Sequence, residues 1–346
     1  MSLKKPTSSI QRLSHNPMGW PNELLPLFEE AMTCEFVTLA RQGIPITSPV
    51  TPYLGDDERS LDISTGLTYP AKAERARRNP RVALLYSDAI GTSLSGAPII
   101  LVYGHAAVRD LDIQANTDRY VRLSLAKSPA GFQGTPPFFL RTLAWYFARI
   151  WIQVTPLRIL WWPEGNTDEL PHVWEAPADL SLPGSDPAPP GKQPPPWKEP
   201  DQDWQKSVEY AVRHLGLPVL TTVDATGVPT PMRAKQVARM REGLCLVMPA
   251  GAPAAQAGPA CLTFHTHPQV FSGQENRSFL GHAVPREHDT VDFVVERSLA
   301  DWSLSGSRLQ AGLEFFNNGR RVMSRLRSEA TRRSQPVPRI NIPPFW

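Results

Sequence analysis

A series of short motifs occurs twice along this chain, in the same order and at nearly constant separation. An apolar-periodic stretch with Leu24, Leu25, Leu27, Phe28 and Ala31 predicts a short amphipathic helix over Asn22–Met32. A second, with Trp204, Val208, Ala211, Val212 and Leu215, predicts another over Gln202–Leu215. Each is followed by a short apolar strand, Glu35–Ala40 and Pro218–Val223, and then by a Gly-x-Pro turn, Gly43-Ile-Pro45 and Gly227-Val-Pro229. Further on, Val82–Tyr86 matches Ala260–Phe264, and Gly104-His-Ala106 matches Gly281-His-Ala283. The turns lie 184 positions apart and the Gly-His-Ala motifs 177. A single Gly-x-Pro is noise, but an ordered series at near-constant offset marks a duplicated structural unit. The chain is therefore expected to fold as two copies of one small β unit, with the second about seven residues shorter between those landmarks.

The deleted residues are informative. Between its strands the first copy carries Thr65–Pro80, with Lys72, Arg75, Arg77 and Arg78; the second has Met248–Pro259, with no basic residue. Pro70 suits the first turn of a helix, which is expected to begin at Tyr69 or Pro70 and to stop before Asn79-Pro80. Lys72 then lies in the first turn, where the helix dipole favours an anion over a cation. Helix N–H groups, the Lys72 ammonium and the Thr65 and Thr68 hydroxyls together form a candidate phosphate cradle, with Arg75 one turn on. The same residues also read as a solvated basic helix face.

Between the two copies the chain is rich in proline: of 37 in all, many fall between Pro163 and Pro200. Such a segment forms neither a helix nor an inner strand and predicts an extended linker. The expected division is a first unit over residues 1–165, a linker over 166–203 and a second unit over 204–346. The formal charge of +3 in 346 residues, without a dense Lys/Arg tract, gives no reason to expect a nucleic-acid partner. Cys34, Cys245 and Cys261 are odd in number and form no CxxC pair, so neither a disulfide framework nor a structural zinc site is expected. The N-terminus lacks the apolar core of a signal peptide. The most apolar run, Trp145–Val154, is interrupted by Arg149 and is far shorter than the roughly 20 residues of a membrane span. A cytoplasmic protein without membrane contact is expected.

The segment from about Glu35 to Gly165 resembles the pyridoxamine 5'-phosphate oxidase-like family of flavin-binding split barrels. The resemblance is carried by the Gly43-x-Pro45 hairpin, Asp62-Ile-Ser-Thr65, Lys72 with Arg78-Asn-Pro-Arg-Val82, Val102–Asp110, and the closing strands Arg149–Pro163. It extends more weakly over Leu217–Val284. It implies a mainly β fold with flanking helices: two tandem split β-barrels joined by the Pro-rich linker. It also implies a cofactor, FMN or the deazaflavin F420 (haem being a lesser alternative), whose phosphate is held by Lys72 and Thr65. Thr68, Tyr69, Arg75, Ser48 and Thr51 are the further cofactor contacts expected. Such sites form between two barrels, so an internal pseudo-dimer or a homodimer is implied, with a small molecule as substrate. The strand Ile46–Pro52 departs from the family in lacking the arginine that the oxidase proper places near the phosphate. The implied activity is a flavin- or deazaflavin-dependent oxidoreductase; a non-enzymatic flavin or haem carrier, or a scaffold with a lost site, is the alternative. No side chain stands out as catalytic acid or base.

Other residues admit simpler roles. His105 and His282 hold equivalent places and are expected to serve a shared structural role near a strand end, or as a pair to ligate haem or metal. His265-Thr-His267 places two imidazoles on one strand face without a third ligand. Trp145, Trp151, Trp161 and Trp162 are expected in packing, one of them or Tyr69 or Tyr86 being available to stack on a ring. Gly306–Arg333 reads as an amphipathic helix, interrupted at Asn317-Asn-Gly319 and packed on a barrel or a partner.

Overall fold

The computed structural model describes residues 18–128, 136–192, 194, 203–268, 274–299, 302–303 and 322–342. Its strands are β1 (Cys34–Leu39), β2 (Pro45–Val50), β3 (Pro52–Leu54), β4 (Leu61–Gly66), β5 (Arg81–Tyr86), β6 (Ile99–Arg109), β7 (Arg149–Trp162) and β8 (His172–Glu175) in the first half. The second half carries β9 (Val219–Val223), β10 (Pro229–Arg233), β11 (Gln236–Met240), β12 (Gly243–Val247), β13 (Gly258–Thr266), β14 (Glu275–Pro285), β15 (Thr290–Ser298) and β16 (Trp302–Ser303). Apart from single turns at Asn22–Leu24, Pro137–Leu140 and Ala144–Phe147, the helices among the described residues are α1 (Leu25–Glu30), α2 (Ala71–Arg78), α3 (Ile113–Lys127), α4 (Trp204–His214) and α5 (322–332).

The two sheets have the same order, β2-β1-β5-β6-β7-β4-β3 and β10-β9-β13-β14-β15-β12-β11. Every neighbour pair is antiparallel, and each sheet curls into a half-open barrel. The duplicated motifs have physical causes. Gly43 and Gly227 take φ of +75° and +81°, the left-handed region in which glycine is unstrained, and each closes the hairpin between its first two strands. Gly104 and Gly281 sit at matching register shifts, between Tyr103 and Gly104 and between Leu280 and Gly281. A Cβ on Gly281 would lie 1.9 Å from the Val294 carbonyl oxygen, and one on Gly104 would lie 2.5 Å from Val154 Cγ1. The bulge brings the next strand so close that only glycine fits.

The units meet through an internal pseudo-twofold. Strand β2 lies on β13, β9 and β14, while β10 lies on β5, β1 and β6: the same set of neighbours with the units exchanged. This is the self-complementary geometry of a twofold dimer, built within one chain. Thr47 and Thr221 hydroxyls meet across it at 2.6 Å. The second core, around Phe264, Phe279 and Phe293, is completed by Val37, Ala83, Leu85 and Leu101 from the outer face of the first sheet. Strand β1 is consequently buried along its whole length, in keeping with its nearly unbroken apolar run.

Two segments depart from simple chain order. The Pro-rich segment is pinned to the first unit: β8 pairs with β7, Ser185 Oγ accepts from the Val108 N–H, and the Asp186 carboxylate accepts from the Asp110 and Leu111 N–H groups. Residues 193 and 195–202 lie outside the described residues. Helix α5, assigned by chain order to the second unit, places Val322, Leu326 and Ala330 in the core of the first. Buried ions lock it there. Arg333 binds Asp110 at 2.9 Å and Glu329 at 2.7 Å, and Arg77 binds the same Asp110 at 2.8 Å. The interruption expected at Asn317–Gly319 lies outside the described residues. Among the described residues no helix is long and apolar enough to cross a membrane.

Candidate functional site

Strand β4 ends at Gly66, and a tight turn leads into α2. The Tyr69 N–H donates to the Gly66 carbonyl at 2.8 Å, and Thr65 Oγ1 donates to the Tyr69 carbonyl at 3.1 Å. Pro70 precedes the helix, and no side chain caps its first N–H groups. Lys72 is the second helical residue. Burial, then the nearby positive charges of Arg75 and Arg149, pull its pKa down to about 8. Arg75 points towards the interface, where its Nε donates to Thr38 Oγ1 at 2.7 Å. Burial, then Arg78, lowers its pKa to about 10.

Two further arginines approach the same turn. Arg149 opens β7 and lies 3.9 Å over the Tyr120 ring and 5.2 Å from that of Tyr146. Arg325 of α5 donates through Nε to the Thr68 carbonyl at 2.7 Å and sits 5.5 Å from the Tyr69 ring. Several of these groups converge beside Gly66. A Cβ added there would meet Arg149 Nη1 at 3.2 Å, Tyr69 Cδ2 at 3.5 Å and Thr68 Oγ1 at 3.6 Å. Thr68 is fully buried, yet its hydroxyl and the Arg149 Nε have no hydrogen-bond partner among the described residues.

Charge pairing sets this cluster apart. Elsewhere buried and partly buried arginines face carboxylates: Arg77 and Arg333 face Asp110, Arg119 faces Asp62 at 2.9 Å, and Arg233 faces Glu35 at 2.8 Å. Among the described residues, Lys72, Arg75, Arg149 and Arg325 have no carboxylate within ion-pair distance. Lys72, Arg149 and Arg325 approach this turn with partly buried side chains and no internal counter-charge, at an uncapped helix start beside an orphaned hydroxyl, while Arg75 faces the interface. An anion with several acceptor oxygens is the kind of group that an uncapped helix start with Lys72, Arg149 and the Thr68 hydroxyl beside it can bind.

Of the residues expected from sequence, Thr65, Thr68, Tyr69, Lys72 and Arg75 share this turn and helix. Ser48 lies in β2 opposite Phe36, and Thr51 lies between β2 and β3. Among the described residues neither makes a hydrogen bond to the turn. Arg149 and Arg325 were not anticipated. Arg149 had a visible signal, as the one charge interrupting the most apolar run; Arg325 had none among the arginines of its helix.

The corresponding place in the second unit is filled by the chain itself. Strand register equates Thr68 with Gly251. The Gly251 N–H donates to the Thr167 carbonyl at 3.1 Å, and the Ala250 N–H donates to the Asp168 carboxylate at 3.1 Å. Lys235 also binds Asp168. A Cβ on Gly251 would lie 1.7 Å from the Glu169 carbonyl oxygen.

The histidines have structural partners. His105 is tied to the Pro183 backbone, and His282 Nδ1 lies 2.7 Å from Glu296 on the surface. His265 is buried and donates through Nε2 to Glu35 at 2.7 Å. No cluster of three or more His, Cys, Asp or Glu suited to a metal ion occurs among the described residues. The tryptophans pack: Trp151 Nε1 donates to Asp62, Trp161 Nε1 to Glu23 and Trp162 Nε1 to the Glu169 carbonyl. Tyr86 is core.

Strand order and duplication make this a tandem split-barrel protein. Among solved structures it is similar in fold to General Stress Protein 26 from Bacillus anthracis, at 14% identity and TM-score 0.29, over 44% of this chain and 95% of that one. An F420 reductase matches at 20% identity and TM-score 0.29, over 38% of this chain and 92% of that one. HutZ, the haem storage protein of Vibrio cholerae, matches at 12% identity and TM-score 0.27, over 39% and 87%. No protein-family model and no curated protein matches the sequence. Similarity at this level describes fold alone; what those proteins bind does not carry over to this chain.

Proposed function

We propose that the turn Thr65–Lys72 and helix α2 bind the phosphate of a small cofactor, FMN in the first instance and F420 as the alternative, and that the chain is an oxidoreductase using it. The observation that carries this reading is the set of cations without internal counter-charge around the buried, orphaned Thr68 hydroxyl. Lys72, Arg149 and Thr68 would hold the phosphate, with Arg75 adding positive potential from the interface side. When bound, a flavin or deazaflavin supplies hydride exchange at its ring; the chain supplies anchoring and orientation. The second unit, whose equivalent place is taken up by Thr167–Glu169, adds no phosphate site of its own.

The test is titration of the full-length protein with FMN and with F420, followed by absorbance, alongside Lys72→Ala. Binding that this variant weakens tenfold or more (about 1.4 kcal/mol) is the expected result. Because Lys72 is charged only below about pH 8, affinity should fall as pH rises through that value, and Lys72→Ala should flatten the profile. Failure of the intact protein to bind either cofactor sinks the reading.

A further inference from the structure

We propose that Arg325, carried by the C-terminal helix α5, is a phosphate-binding residue of the same site, so that a segment following the second unit completes the site of the first. The inference rests on the phosphate reading of the Lys72 turn. The guanidinium is held by Nε on the Thr68 carbonyl at 2.7 Å and lies 5.5 Å over the Tyr69 ring. Its two terminal nitrogens have no hydrogen-bond or ion-pair partner among the described residues. An arginine fixed through Nε with both terminal groups free presents the fork that matches two phosphate oxygens.

The residue whose carbonyl it grips is the residue whose buried hydroxyl is orphaned. Arg325 thus sits at the same turn as Lys72 and Arg149. Its helix is firmly held. Val322, Leu326 and Ala330 lie in the first core, while Arg332 and Arg333 bind Glu74 of α2, Glu329 pairs with both arginines, and Arg333 also binds Asp110. The same helix that carries Lys72 on one side is clamped to α5 on the other. A guanidinium presented this way pays little conformational entropy on binding.

A purely structural role for Arg325 would consist of its hydrogen bond to the Thr68 carbonyl, which a glutamine amide can also donate, and its contact with the Tyr69 ring, whose loss the melting temperature reads. Three variants separate the roles: Arg325→Gln keeps a donor and loses the charge, Arg325→Lys keeps the charge, and Lys72→Ala reports on the parent site. Calorimetric titration of each full-length protein with inorganic phosphate and with FMN, with melting temperatures as the control for folding, gives the comparison. The expected result is at least a tenfold loss of affinity for both probes in Arg325→Gln, partial recovery in Arg325→Lys, and melting temperatures close to that of the wild type. Unchanged affinity in Arg325→Gln while Lys72→Ala weakens binding overturns this inference and leaves the parent reading standing. Wild-type protein that binds neither probe overturns both.

Discussion

At the scale of single residues, the chain treats buried charge in two ways. Glu35 is the lone acid of the apolar strand β1 and lies at the junction of the two units. Burial alone would raise its pKa. The hydrogen bond from His265, the charge of Arg233 and the Ser87 hydroxyl outweigh burial and bring it down to about 2. A carboxylate with its folded pKa below the usual 4.5 adds stability above that value and loses it as pH falls towards 2. Its contribution should shrink by about 1 kcal/mol between pH 7 and pH 4, using about 1.4 kcal/mol per pKa unit. Urea denaturation of wild type and Glu35→Gln at both pH values checks this; an equal gap at both would contradict the assignment. The Lys72 cluster is the opposite case, in which cations are gathered and left without internal anions. Pairing at the junction joins the two units, whereas the absence of pairing at the turn is the observation on which the proposed phosphate site rests.

At the scale of elements, the duplicated glycines show how local geometry leaves a mark in sequence. The bulge in β14 brings the Val294 carbonyl so close that Gly281→Ala would place a Cβ 1.9 Å from it. Strand displacement should cost at least about 2 kcal/mol. Gly184→Ala, where a Cβ meets nothing within 4 Å, should change stability by less than about 0.5 kcal/mol. Denaturation midpoints of the two variants test the contrast, and equal midpoints would refute the steric account. Helix α2 was legible for similar reasons: Pro70 before it and Asn79-Pro80 after it delimit it in sequence, and it runs Ala71–Arg78. Helix α5 was legible as a helix but not as a neighbour of α2. Its amphipathic pattern says that one face is buried, without saying against what.

At the scale of the whole molecule, the pseudo-twofold and the deletion in the second copy together predict one phosphate ligand per chain. Titration with FMN to saturation should reach one equivalent, and two equivalents would show that Thr167–Glu169 does not close the second place. The duplication, both sheets and the outline of the Lys72 turn were determined by the sequence itself. They depend on periodicity, turn glycines and proline placement, which act over a few residues. The tertiary structure alone decided that Arg149 and Arg325 join Lys72, that Glu35 meets Arg233 and His265, and that Asp168 enters the second unit. Those partners are separated by up to about 250 positions, and they meet only because strand register and the docking of α5 bring distant side chains to one place. No local preference in the chain encodes such meetings, because each is settled by the packing of elements that carry no sequence signal for one another.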